Sequence, residues 1–194
     1  MSALAQPSAV RGGAQCLALG TVQFGMPYGV SNTSGKVPLE TARMMVQFAI
    51  SSGIDTVDTA IGYGDSEQVL GSTGMGELKI VSKLLPLPAP VTNVRAWVLS
   101  EAEKSLERLG AEQLHGLLLH RSSDLFGSTG VELYAAMRDL QEAGKVRKIG
   151  VSIYAPTELD AHYGTYSFDL VQAPLNLVDQ RLVSSGWLER LKEQ

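Results

Sequence analysis

The stretch Gly53-Ile-Asp-Thr-Val-Asp58-Thr-Ala-Ile-Gly-Tyr63-Gly64 decides how the chain is read. Residues 54–57 are strand-like, and just beyond them a carboxylate, Asp58, and a phenol, Tyr63, stand five residues apart. Moving outward, each later strand-like run ends on a further polar group. Lys83 closes Lys79-Ile-Val-Ser-Lys83, and His120 closes Leu114-His-Gly-Leu-Leu-Leu-His120. If these strands lie side by side and parallel, an acid, a phenol, an ammonium and an imidazole meet at one end of the sheet.

The rest of the chain supports that arrangement. After a first strand at residues 17–20, helical and strand-like patterns alternate with short links, the pattern of βα units on a parallel sheet. A helix beginning near Pro38 carries the stripe Ala42, Met45, Val46, Ala49 and Ile50. A short helix follows at 66–70, strand three at 78–83, and a proline-rich link at 86–90 where helix is disfavoured. Val94, Trp97, Val98, Ala102, Leu106 and Leu109 line one face of the next helix, with Gly110 placed for a left-handed cap. Strand four is 114–119. Thr129 and Glu132 form a capping-box pattern ahead of Leu133, Met137 and Leu140, and Gly144 ends that helix. Strand five at 149–153, a helix at 156–162, strand six at 170–173 and a helix over 179–192 complete six βα units.

Parallel strands with helical crossovers close into a barrel or spread into an open doubly wound sheet. The barrel is favoured twice over. Gly20-Thr-Val-Gln-Phe-Gly25 lacks the Gly-x-Gly-x-x-Gly spacing of a dinucleotide-binding open sheet. Polar groups also follow most strands in turn, as in barrel enzymes whose sites are spread over the βα loops. The expected fold is therefore α/β, a (β/α)8 TIM-type barrel. Eight units take about 250 residues, so the 194 residues are expected to hold one incomplete barrel domain of about six units, with residues 1–14 a flexible N-terminus. An open barrel leaves edge strands unpaired, and self-association through that edge is expected.

Composition narrows the function classes. Sixteen Lys and Arg are mixed among twenty Asp and Glu, leaving no basic stripe for a phosphate backbone, so no nucleic-acid partner is expected. No apolar run reaches the ~20 residues of a membrane helix, and residues 1–13 lack a signal-peptide core. No membrane partner and a cytoplasmic location are expected. One cysteine, Cys16, supports neither an internal disulfide nor a multi-cysteine metal site, and reads as a small buried or edge residue. No metal site is expected.

Each polar group has a plain alternative: Asp58 as a turn cap, Lys83 as a solvated strand end, Tyr63 as rim packing between Gly62 and Gly64. The odd separation of His115 and His120 puts them on opposite faces of a regular strand, so they do not share a metal. His120, at the C-terminal end, is the catalytic candidate, whereas His115 reads as a packing residue and His162 as a surface residue. Taken together, the four ends make one chemistry. A phenol with its usual pKa of ~10 is a poor acid, and a neighbouring ammonium is expected to lower that value. A carboxylate can hold the ammonium, and an imidazole can hydrogen-bond a carbonyl oxygen as hydride arrives. That is carbonyl reduction, or alcohol oxidation in reverse.

These residues resemble the aldo-keto reductase family. The likeness runs from Leu17 to Lys192 through the quoted stretch with Asp65-Ser-Glu67 and Leu70-Gly71, through Lys83, and through Leu117-Leu-Leu-His120. The resemblance implies a catalytic tetrad of Asp58, Tyr63, Lys83 and His120, with Tyr63 giving a proton to the carbonyl oxygen of a small-molecule aldehyde or ketone. It implies NADP(H) as cofactor, with NAD(H) the alternative. Gly20 and Thr21 would lie beneath the nicotinamide, and Ser152 and Gln172 would hold its carboxamide. Ile153 stands where the family has asparagine. The seventh strand, with the aromatic that stacks on the nicotinamide, and the elements that grip the adenosine phosphate would lie past the sixth unit. Two other readings stay open: a barrel retained as a non-catalytic binding module, and a Schiff-base lyase with Lys83 as nucleophile.

Overall fold

Each strand finds its partner in its neighbour along the chain. In a computed structural model that describes residues 16–193, β1 (Ala18–Gly20), β2 (Thr56–Asp58), β3 (Lys79–Leu84), β4 (Leu114–Leu119), β5 (Val146–Ser152) and β6 (Leu170–Gln172) form one parallel sheet in chain order. Helices α1 (Val22–Gly25), α2 (Leu39–Ser51), α3 (Ser66–Gly71), α4 (Val94–Leu109), α5 (Gly127–Glu142) and α6 (Thr157–Asp160) fill the crossovers, and α7 (Arg181–Ser184) and α8 (Trp187–Lys192) follow β6. This is the incomplete (β/α)8 architecture that the sequence pattern predicts. The N-terminal stretch expected to be flexible lies outside the described residues.

Alternate residues of the strands serve two layers. Val57, Ile80, Leu84, Leu117, Leu119, Ile149 and Val151 pack with Val98, Ala102 and Leu109 of α4 and Leu133, Ala136 and Met137 of α5. Burying each of the larger side chains contributes about 1.5–3 kcal/mol, which is what holds the helices to the sheet. On the other face, Gly116 and Gly150 leave room for β6. A Cβ on Gly150 would sit 1.9 Å from the Leu170 carbonyl oxygen, and one on Gly116 would sit 2.6 Å from the Leu170 side chain. The inner layer is thus filled from Leu170, Val81 and Leu118 across two glycines.

Several local expectations are corrected. β2 includes Asp58 as its last residue, and β5 begins at Val146, three residues early. Phe126, extended after a 3-10 turn at Ser122–Leu125, starts α5 at Gly127, so Thr129 falls inside the helix and caps nothing. Gly186 takes φ +76° and splits the last helix into α7 and α8. His162, expected on the surface, is buried: α6 ends at Asp160, and the chain turns back to set the imidazole 4.8 Å from the Phe126 ring. Cys16, read as a small buried or edge residue, is exposed two residues before β1. On α2, Ala42, Val46 and Ala49 are buried as predicted, whereas Met45 and Ile50 stand partly exposed beside Phe48. The far edge of β1 meets no strand among the described residues.

Candidate active site

The register of the sheet brings the predicted residues to one mouth. Gly20 pairs with Asp58, and Asp58 with Val81, two residues before Lys83. Lys83 pairs with Leu118, two before His120, and Leu118 with Gly150, two before Ser152, which pairs with Gln172. Register partners share a face, and so do residues two apart on a strand. Gly20, Asp58, Lys83, His120, Ser152 and Gln172 therefore lie on one face, climbing toward the C-terminal ends, while His115 points the other way.

Lys83 is the hub. It is 2 % exposed, and its Nζ donates to Asp58 Oδ1 at 2.7 Å, to the Thr59 carbonyl at 2.9 Å and to the Tyr63 hydroxyl at 3.4 Å. Asp58 Oδ1 also accepts from Gln172 Nε2 at 3.0 Å, a contact spanning 114 residues. A buried ammonium is tolerated only with its partners in place, so the carboxylate is structural as well as chemical. Tyr63 stands edge-on to His120, ring centroids 5.8 Å apart. Thr21 is fully buried, with its hydroxyl donating to the Asp58 carbonyl at 2.9 Å and accepting from Ser66 at 3.0 Å. Its side chain therefore positions the end of β2. The loop carrying Tyr63 is pressed onto α1: Gly64 has φ +60°, and a Cβ on Gly25 would fall 1.7 Å from the Tyr63 carbonyl oxygen. Only glycine fits at both places.

Electrostatics overturn one expectation. The ammonium was expected to lower the Tyr63 pKa, yet burial first and the Asp58 carboxylate second push the phenol up to about 12. Lys83 reaches the phenol by its longest contact and spends its charge mainly on Asp58. The phenol is thus held as a protonated donor. Burial also lowers the Lys83 ammonium below the ordinary lysine value, against the pull of Asp58. His120 is held below the usual histidine value by burial and then by Lys83, so near neutral pH it is an uncharged imidazole. An NMR pH titration is expected to place its midpoint below 6.5. Lys83→Met should raise that midpoint, because it removes a cation that disfavours the imidazolium; an unchanged or lower midpoint would contradict this arrangement.

On the β5–β6 side of the mouth, Gln172 Oε1 is buried without a hydrogen-bond partner among the described residues. Ser152 beside it makes no side-chain hydrogen bond there, and a Cβ on Gly20 would project into open space. Ile153, where asparagine was expected by resemblance, is 2 % exposed and packed in the outer core, so its side chain takes no part in the mouth. Next to His120 and Gly62 opens a cavity of about 720 Å³, walled by Phe126, Tyr154 and Arg121. A larger hollow of about 1010 Å³ lies between the ends of α4 and α5, remote from these groups, and offers no such chemistry. The sequence reading missed Arg121 and the Asp58 to Gln172 contact. A basic residue directly after His120 was a visible signal for the first; nothing local marked the second.

The comparisons bear on the family and the fold. The model of the aldo/keto reductase family matches residues 16–194. Oxidoreductase YdhF of Escherichia coli is 30 % identical over 174 residues, covering 79 % of this chain and 58 % of that protein. The crystal structure of the Pseudomonas aeruginosa protein PA4992 superposes with a TM-score of 0.74 at 26 % identity, over 91 % of this chain and 68 % of that one. A Bombyx mori aldo-keto reductase, solved in complex with NADP, shares the fold at a TM-score of 0.65 and 23 % identity, over 89 % of this chain and 59 % of that one. The chain spans about half the length of the curated relatives it matches. A family match across every described residue, with the four polar groups gathered at one end of a parallel sheet, leads to one statement: the chain belongs to the aldo/keto reductase family.

Proposed function

We propose that the protein reduces an aldehyde or ketone to the alcohol with a nicotinamide cofactor, and that NADP(H) is that cofactor. The observation carrying this reading is the Asp58–Lys83–Tyr63 chain of contacts with His120 edge-on to the phenol. The residues at the cofactor side fit the group. The unpartnered Gln172 Oε1 is an acceptor for an amide N–H, Ser152 offers a hydroxyl to the amide oxygen, and Gly20 keeps the floor clear. When bound, the nicotinamide supplies the hydride. Tyr63, protonated at neutral pH, gives its proton to the carbonyl oxygen; Lys83 stabilises the phenolate that remains, and Asp58 keeps Lys83 in reach. Neutral His120 offers an N–H to the same oxygen and orients the carbonyl. The NADP found with the Bombyx mori relative supports the choice of cofactor.

The lyase reading is disfavoured by the same geometry. An amine nucleophile needs a free lone pair, whereas the Lys83 nitrogen is buried and directs its protons at three oxygens. The test is direct. The protein is expected to bind NADPH, seen as a change in reduced-nicotinamide fluorescence, and to oxidise it when 4-nitrobenzaldehyde is added. Borohydride should trap no aldehyde on Lys83. Tight binding of NADPH with no oxidation over a panel of aldehydes and ketones would favour the binding-module reading instead.

A further inference from the structure

The cavity beside His120 has one cation with nothing to hold. Arg121 lines it, is exposed, and among the described residues makes no ion pair and no side-chain hydrogen bond. Every other charged or polar group around that cavity is already engaged or uncharged. Glu158 has both oxygens committed: Oε1 accepts the Tyr154 and Ala155 amides at 2.8 Å each, and Oε2 accepts from the Ser122 hydroxyl. Those bonds help hold the carboxylate ionised, with Oε1 on the turn between β5 and α6 and Oε2 on the Ser122 hydroxyl, and neither oxygen bonds Arg121. Asp124, three residues along, accepts the Leu87 amide at 2.9 Å. His162 is buried against Phe126, and burial disfavours its charged form. The walls between these groups are aromatic, with the exposed rings of Phe126 and Tyr154.

Position makes this arginine different from a solvated surface residue. It follows His120 directly, and its charge is felt at that imidazole, where it disfavours protonation. A substrate whose carbonyl lies at Tyr63 and His120 and whose body fills the cavity would bring its far end toward the guanidinium. A planar fork of N–H donors matches a carboxylate two bonds at a time, and flanking aromatic rings favour a flat, apolar body between the two ends. We propose, resting on the reductase reading, that the preferred substrates are aryl or similarly flat carbonyl compounds bearing a carboxylate, and that Arg121 binds this carboxylate.

The test separates the subsite from the reaction. Calorimetry on the full chain compares 4-(hydroxymethyl)benzoate with its methyl ester, two alcohols of one shape that differ in charge. The acid is expected to bind at least about tenfold more tightly, the scale of one charge-assisted pair. Arg121→Gln should bring the two within about twofold, and Arg121→Lys, which keeps the charge but not the fork, should retain part of the preference. In turnover, kcat/KM for 4-carboxybenzaldehyde over methyl 4-formylbenzoate should follow the same order in the three proteins. Equal binding of acid and ester by the wild type, a preference that survives Arg121→Gln, or binding of neither overturns the proposal. A preference that depends on Arg121 without any oxidation of NADPH would uphold the subsite and remove the reductase reading.

Discussion

Tyr63→Phe is expected to lower kcat/KM for carbonyl reduction by about a hundred- to ten-thousandfold, the contribution of a positioned proton donor. The substitution keeps the ring, its edge-on contact with His120 and the Gly25–Gly64 packing that fixes the loop. It removes one oxygen, 3.4 Å from Lys83. Affinity for NADPH and the melting temperature should stay close to wild type, because the hydroxyl receives only the longest of the three Lys83 contacts. The loss should appear in kcat with little change in KM, since proton transfer belongs to the transition state. Lys83→Met gives a different signature. It leaves Asp58 with Gln172 but no cation, so activity and stability should fall together. If Tyr63→Phe retained most of its activity, with Lys83→Met abolishing it, the proton would have to come from elsewhere and the assignment of Tyr63 would fail.

The fold was readable because strand-like runs alternate with amphipathic helices along the chain, and each strand pairs with its neighbour in sequence. The four polar groups were readable because Asp58, Lys83 and His120 stand at the ends of strand-like runs and Tyr63 follows Asp58 on the same loop. What the pattern could not reveal was depth. Lys83 looks like a strand-end lysine, and only the register shows that it sits two residues above the partner of Asp58 and out of water. The sign of the Tyr63 shift was misjudged for the same reason: charge is visible in a sequence, whereas desolvation depends on what covers the group. Gln172 reaches Asp58 only through the curl of the sheet, and His162 is buried only because α6 stops early. These are tertiary facts with no local signature. Glu67 is a further example, placed by the motif but with no partner apparent in sequence.

Glu67→Ala is expected to lower unfolding free energy by about 2–5 kcal/mol, the cost of stranding two buried hydroxyl donors and releasing a half-buried guanidinium. The carboxylate is 2 % exposed and lies where α3, β3 and α4 meet. Oε1 accepts from Ser82 and Ser105, each at 2.6 Å, and Oε2 accepts from Arg108 Nε at 2.8 Å. The guanidinium Nη2 is 2.7 Å from the same oxygen, off the hydrogen-bond direction. Alanine would strand two fully buried hydroxyls and leave Arg108 without its counter-ion. Glu67→Gln keeps an acceptor oxygen and should cost less. Adding Ser82→Ala and Ser105→Ala to Glu67→Ala should recover part of the loss, because the stranded donors disappear. Urea denaturation measures all of these, and a change below about 1 kcal/mol for Glu67→Ala would show that the network is not a structural pin. The effect should reach the site. Ser82 precedes Lys83, and Ser66 precedes Glu67 while bonding Thr21, whose hydroxyl holds the Asp58 carbonyl. Loosening α3 therefore frees both the residue behind the ammonium and the clamp on β2, so residual activity of folded Glu67→Ala should fall through misplacement of Lys83 and Asp58.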